Sequence, residues 1–312
     1  MIKRRTFLQQ FTQYAALIGI APLAACSTTE NISSMKISLA QWSLHLAFQG
    51  GELLPENFAA ISSKDFGINA VEYVNGFYLE KAKDEAFWQS MRQRALDEGV
   101  SSQLIMVDAE GILGDLDDAE RQKAVENHYK WVHAAKILGC HSIRVNAFGT
   151  GEKTAVKSAL VDGMGKLASY AAQEDINVVI ENHGLYSSDA RFVVDVIKQV
   201  NLPNFGTLPD FGNWCMNAEW GGTQDNQCTD SYDPYQGLQE FMPYAKGVSA
   251  KAYGFNAQGQ ESTLDYSKLL KIVKDSDFDG YIGIEYEGTD LSEPDGIRAT
   301  KALLEKSWAG LD

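Results

Sequence analysis

The stretch "KISLAQWSLHLAFQG", residues 36–50, decides between two architectures. It opens as a short apolar strand, "KISLAQW" (36–42), and no G-x-G-x-x-G follows. A doubly wound nucleotide-binding sheet would carry those glycines directly after its first strand, where backbone must approach a pyrophosphate closely. Outward from this stretch, strand-like runs recur about every 30 to 40 residues: "AVEYV" (70–74), "SQLIMVD" (102–108), "SIRVNAF" (142–148) and "NVVIEN" (177–182). "FGTLPD" (205–210), "GVSAK" (247–251) and "YIGIEYE" (281–287) complete the series. Amphipathic segments such as 120–138, 155–173 and 265–274 lie between them. Eight such units predict an α/β chain with one domain, residues 36–312, folded as a (β/α)8 TIM barrel.

In such a barrel, chemistry gathers at the C-terminal ends of the strands. The residues expected there are polar all the way round. They are Gln41 and His45, Glu72 and Tyr73, Asp108 (beside Met106), Arg144 and Asn146, Glu181 and His183, Asp210 and Asn213, Ser249 and Lys251, and Glu285 and Glu287. Glu181, Asp210 and Glu285 each follow an apolar strand body, where burial disfavours a charged carboxylate unless a cation or donor compensates. One divalent ion with oxygen ligands would relieve all three, and Mn2+ suits such a set, with Mg2+, Co2+ or Zn2+ as alternatives. His183, Lys251, Arg144, Asn146, Asn213, His45 and Trp214 are the candidate substrate contacts, Trp214 by stacking on a sugar face. Trp42, Tyr73 and Trp220 are further aromatics for that role. Ser188 is expected to cap the helix after strand five.

The N-terminal segment is read apart from the fold. Lys3, Arg4 and Arg5 precede an apolar run from Tyr14 to Ala25, too short to span a bilayer, and "LAAC" ends at Cys26. The expectation is a twin-arginine export signal over residues 1–25, lipidation of Cys26, a polar tether over 26–35, and a periplasmic, membrane-anchored protein. In that oxidising compartment Cys215 and Cys228, 13 positions apart, are expected to form a disulfide. The net charge of −15 argues against nucleic acid, whose phosphates call for clustered Lys and Arg. The expected partner is a small sugar or glycoside, with contact to a membrane through the lipid alone, and an oligomer is open.

"VVIENHG" (178–184), "LPDFGNW" (208–214), "SAKAY" (249–253) and "GYIGIEYEG" (280–288), in this order, resemble the xylose-isomerase-like barrels, specifically the sugar phosphate isomerase/epimerase group. The resemblance spans about residues 36–308. It implies a metal-dependent isomerase or epimerase that moves protons next to a sugar carbonyl through an enediolate. Glu181 and Glu285 would be both metal ligands and the acid/base pair, and Asp210 a further ligand. The chain departs from the group at strand seven. Ser249-Ala250-Lys251-Ala252 stands where many relatives have His-x-Lys-Asp, so either another residue completes the site, or metal binds weakly, or none binds. The five histidines cannot build the three-zinc site of the related AP-endonuclease branch, because His128 and His133 fall on a helix and His141 at the far end of the barrel. Two alternatives stay open beside the epimerase. One is a lyase or hydratase acting on a 3-keto-glycoside through the same enediolate, and the other a non-catalytic sugar-binding lipoprotein.

Overall fold

The computed structural model describes residues 35–222 and 228–311. The expected signal, Cys26 and all of the tether but Met35 lie outside the described residues. Eight parallel strands alternate with eight principal helices. The strands are β1 (Lys36–Ala40), β2 (Ala70–Val74), β3 (Ser101–Met106), β4 (Ser142–Asn146), β5 (Asn177–Glu181), β6 (Phe205–Leu208), β7 (Val248–Ala252) and β8 (Tyr281–Tyr286). The helices are α1 (Phe58–Phe66), α2 (Glu85–Asp97), α3 (Asp118–Leu138), α4 (Lys153–Ala172), α5 (Ala190–Val200), α6 (Pro234–Phe241), α7 (Tyr266–Asp275) and α8 (Glu293–Ala309).

The sheet runs β6-β5-β4-β3-β2-β1-β8-β7. Its two ends meet through Lys246 N–H to Thr207 O, Ser249 N–H to Pro209 O and Phe211 N–H to Ser249 O, at 2.9–3.0 Å. This closes the TIM barrel. The seam is thin for a local reason: Pro209 has no N–H to donate, so a continuous ladder cannot form there. Several strands end earlier than the apolar runs suggest. Residues 107–108 and 147–148 lie past the ends of β3 and β4, residues 209–210 keep only the seam bridge to Ser249, and all of them begin the loops that carry the site.

Each of α2 to α8 starts on a side chain that accepts a backbone N–H: Asp84, Asp117, Glu152, Asp189, Asp233, Asp265 and Ser292. These caps satisfy otherwise unpaired helix N–H groups and favour the positive end of the helix dipole. The cap of α5 is Asp189, not the expected Ser188. Ser188 Oγ instead accepts from Gly184 N–H and donates to Asn213 O, tying the β5 loop to the β6 loop.

The main core lies between strands and helices and includes Trp88, Trp131, Phe211, Phe241, Ile143 and Ile284. A smaller apolar group, Ala40, Val74, Leu104, Met106, Val179 and Leu208, fills the inside of the barrel. Inward positions alternate along each strand. On β5, β7 and β8 the alternation places polar side chains inside: Glu181, Ser249, Lys251 and Glu285 are all buried.

Candidate active site

On β7 and β8 the period of two puts Ser249 and Lys251 on the same inward face as Glu285, with Glu287 just beyond the strand end. The Lys251 ammonium is 1% exposed and lies 3.2 Å from Glu285 and 2.7 Å from Glu287. Burial alone would drive such an ammonium toward neutrality, but Glu285 and Glu287 reverse that and hold it charged, well above its usual pKa. The same pairing, with a hydrogen bond from Trp42 Nε1, brings Glu287 down to about 2 against the upward push of burial. Glu285 goes the other way. Burial raises its pKa, and Lys251 offsets this in part.

A matching arrangement stands on β3 to β5. Arg144 Nη1 donates to Asp108 Oδ1 at 2.6 Å, and Arg144 Nε lies 2.8 Å from Glu181 Oε2. The second contact is close but not aligned, and neither Nε nor Oε2 makes a hydrogen bond among the described residues. Against burial, the guanidinium holds Asp108 below the usual carboxylate range. Glu181 is raised by burial, and Arg144 and Lys251 offset that rise in part. Asn146 Nδ2 donates to Asp108, so its Oδ1 faces His183 Nδ1 at 2.7 Å. The histidine therefore carries its hydrogen on Nδ1 and keeps Nε2 as an acceptor. Burial, then Arg144, lowers its pKa to about 3, so the ring is neutral.

Asp210 sits between these two groups. Its Oδ1 accepts from Gly212 N–H and Asn213 N–H, and burial pushes its pKa well up. Ser249 Oγ lies 2.5 Å from Asp210 Oδ2 and 2.7 Å from Glu285 Oε2. A hydroxyl has one hydrogen, so in this arrangement one of the two carboxyls holds a proton and donates to the serine oxygen.

Glu181, Asp210 and Glu285 each offer an oxygen, and these three atoms lie within 4.8 Å of one another. Three buried carboxyls with raised pKa values and an unaligned Glu181 oxygen fit a divalent cation. The all-oxygen donor set, with the Ser249 hydroxyl beside it, suits a hard ion such as Mg2+ or Mn2+.

A family model described as xylose isomerase-like TIM barrel matches residues 62–307. The chain belongs to that family. A curated relative, a mouse protein carrying the provisional name hydroxypyruvate isomerase, is 23% identical over 167 residues, 49% of this chain and 56% of its own. The chain thus spans little more than half the length of the curated relative it matches. D-psicose 3-epimerase from Clostridium cellulolyticum H10, solved with D-tagatose, superposes with a TM-score of 0.65 at 15% identity, covering 89% of this chain and 100% of that one. A xylose isomerase-like TIM barrel protein from Mycobacterium smegmatis in complex with magnesium gives 0.64 at 14% identity, covering 89% and 98%. At these identities the likeness is one of fold.

In this xylose isomerase-like barrel the structure brings Glu181, Asp210, Glu285, Lys251, Arg144, Asn146, His183 and Asn213 together. Asn213 Nδ2 lies 3.3 Å from Glu181 Oε1. Arg144 and Lys251 are buried inside the barrel mouth rather than standing at its rim. Lys251 pairs with Glu285 and Glu287, and no ion pair joins it to Asp210. His45 stacks on Trp42 at 4.6 Å and lies 3.5 Å from Glu293, so it belongs to the β1 lip and not to the carboxylate cluster. Trp214 does not face the mouth. It is 0% exposed, packed on Phe241 and over Gly237, where an added Cβ would come within 2.3 Å of the indole. Cys215 and Cys228 are disulfide-bonded.

One participant was not singled out as a site residue from the sequence: Tyr253, whose hydroxyl lies 3.3 Å from Asn213 Oδ1. Tyr253 could have been found by stepping two residues on from Lys251 along the same face.

Proposed function

We propose that the protein is a divalent-cation-dependent sugar isomerase or epimerase that moves protons at carbons next to a carbonyl. Glu181 and Glu285 are its acid/base pair. The observation that carries this reading is the paired layout of two deep glutamates with raised pKa values, each beside its own buried cation and separated by Asp210. Burial brings a carboxylate's basicity toward neutral pH, which is what a group that takes and returns protons needs.

Glu181 takes the proton from carbon on one face of the substrate, and Glu285 delivers one from the other. Asn213 orients Glu181, and the Ser249 hydroxyl and Lys251 ammonium hold Glu285. His183, neutral with Nε2 free to accept, takes a hydrogen bond from a substrate hydroxyl. Glu181, Asp210 and Glu285 would hold the cation, which would supply Lewis acidity for the charge that develops on the carbonyl oxygen.

The substrate is an unphosphorylated sugar. Arg144 and Lys251, the two cations inside the mouth, are each engaged by two carboxylates and have no charge to spare for a phosphate. This agrees with the export signal, lipidated Cys26 and periplasmic location proposed from the N-terminal sequence.

The test is incubation in D2O with D-psicose, D-tagatose and D-fructose, with and without Mn2+ or Mg2+. Cation-dependent deuterium at the carbon next to the carbonyl of recovered sugar is the expected result. Release of free aglycone from a 3-keto-glycoside, with no deuterium entering a ketose, would assign a lyase instead. Binding without either reaction would leave a sugar-binding protein.

A further inference from the structure

Trp220 is a large apolar side chain left 50% exposed, and its backbone has φ +65°. A bulky L-residue rarely adopts that conformation unless its surroundings impose it. Here they do. Cys215 N–H bonds Gly221 O, the Cys215–Cys228 disulfide braces the base of the loop, and Glu219 pairs with Gly184 in the β5 loop. The approach requires glycine at 184, where an added Cβ would lie 2.3 Å from Ala218 O and 2.8 Å from Trp220 N.

This loop delivers the indole edge-on to His183, with ring centroids 4.9 Å apart, and to Phe148 at 5.6 Å. Phe148 lies nearly parallel to His183 at 6.3 Å. The shelf is therefore continuous with the carboxylate cluster, because His183 belongs to both. Across the barrel order, Trp42 and Phe77 form a second aromatic wall, with Trp42 hydrogen-bonded to Glu287.

The chemistry of the shelf narrows its occupant. The basic side chains beneath it, Arg144 and Lys251, are each paired with two carboxylates, so an anionic ligand finds no side-chain counterion there. A neutral ligand with an apolar C–H face for the indole and hydroxyls for His183 Nε2 meets what is present. We propose that Trp220, with Phe148 and His183, forms a second saccharide subsite above the carboxylates. The substrate is then a glycoside or short oligosaccharide whose outer sugar lies on Trp220. This rests on the sugar-isomerase reading and adds the substrate class.

Calorimetric titration of the Mn2+-supplemented protein with D-fructose and with three fructose-ended disaccharides, lactulose, maltulose and isomaltulose, tests it. At least one disaccharide is expected to bind about tenfold more tightly than fructose. Trp220→Ala should bring that ratio to within about twofold of unity, and Trp220→Phe should keep most of it because a ring remains. Equal affinities for fructose and every disaccharide, or a ratio unchanged in Trp220→Ala, would overturn the subsite. The catalytic reading fails separately, by absence of deuterium uptake in the wild-type protein, whatever the binding ratio.

Discussion

Arg144 and Lys251 are wired alike, and each leaves its two carboxylate partners in different states. Each buried cation has one shallow partner, about a quarter exposed (Asp108 at 25%, Glu287 at 28%), and one deep partner, Glu181 or Glu285, at 1% and 5%. The shallow acids fall in pKa and the deep ones rise. A single cation can fully ionise one neighbour while burial still dominates the other. The two deep acids differ in their second donor: Glu285 has the Ser249 hydroxyl at 2.7 Å beside the ammonium, whereas Glu181 has an unaligned guanidinium nitrogen and a long Asn213 bond at 3.3 Å. Glu181 is the less committed carboxylate, suited to take the first proton.

Breaking the deep acids is expected to have the largest effect. Glu181→Gln and Glu285→Gln should each lower turnover about a thousandfold, the range of a lost general base, with the fold retained by circular dichroism. Equal, modest losses would erase the distinction between deep and shallow acids, and Asp108→Asn is the control expected to cost far less.

Breaking the cations is next. Arg144→Met and Lys251→Met each strand two carboxylates and should cost about 3–5 kcal/mol in urea unfolding. Lys251→Met combined with Glu285→Gln should recover part of that, because the uncompensated charge goes with the cation.

Glu72 sharpens the contrast, being a deep acid with no cation of its own. Its Oε1 accepts from Ser38 at 2.6 Å and abuts Gly283, where an added Cβ would come within 2.6 Å, and burial raises its pKa to about 8. An acid raised in the folded state stays protonated there while the unfolded chain ionises above pH 4.5. Stability should therefore fall as pH rises from about 4.5 to about 8, by on the order of 3 kcal/mol at pH 7, then level off. Melting curves of Glu72→Gln should lose that slope. An identical slope in the variant would show that Glu72 is ionised in the fold.

The smallest effect is expected at Ser249. Ser249→Ala removes the hydroxyl between Asp210 and Glu285 and should cost about 1–3 kcal/mol, measured by urea unfolding at pH 7.

Much of this comparison was legible in the sequence, because a strand's period of two turns a list of strand ends into a list of inward side chains. Glu181 and Arg144 were read that way, as were Lys251 and Glu285. What escaped depends on contacts between distant segments. Trp214 sits beside Asn213 in sequence yet turns into the core, because Gly237 on α6 leaves room for its indole. Ser188 resembles a helix cap but is spent on Gly184 and Asn213, and Asp189 does the capping. Asp108 was legible as a strand-end residue, but its pairing with an arginine 36 positions away was not. Trp220 and the Cys215–Cys228 bridge were each read from the sequence, but the close approach to Gly184 that sets the indole beside His183 was not.

The most direct test separates the two glutamates by face. Each epimer of a turned-over ketose is incubated in D2O with Glu181→Gln or Glu285→Gln, and loss of its carbon-bound proton is followed by NMR. The two-glutamate account predicts that each variant abolishes epimerisation but still exchanges the proton of one epimer, a different one in each case. Loss of exchange for both epimers in one variant, with the other variant still epimerising, would contradict it.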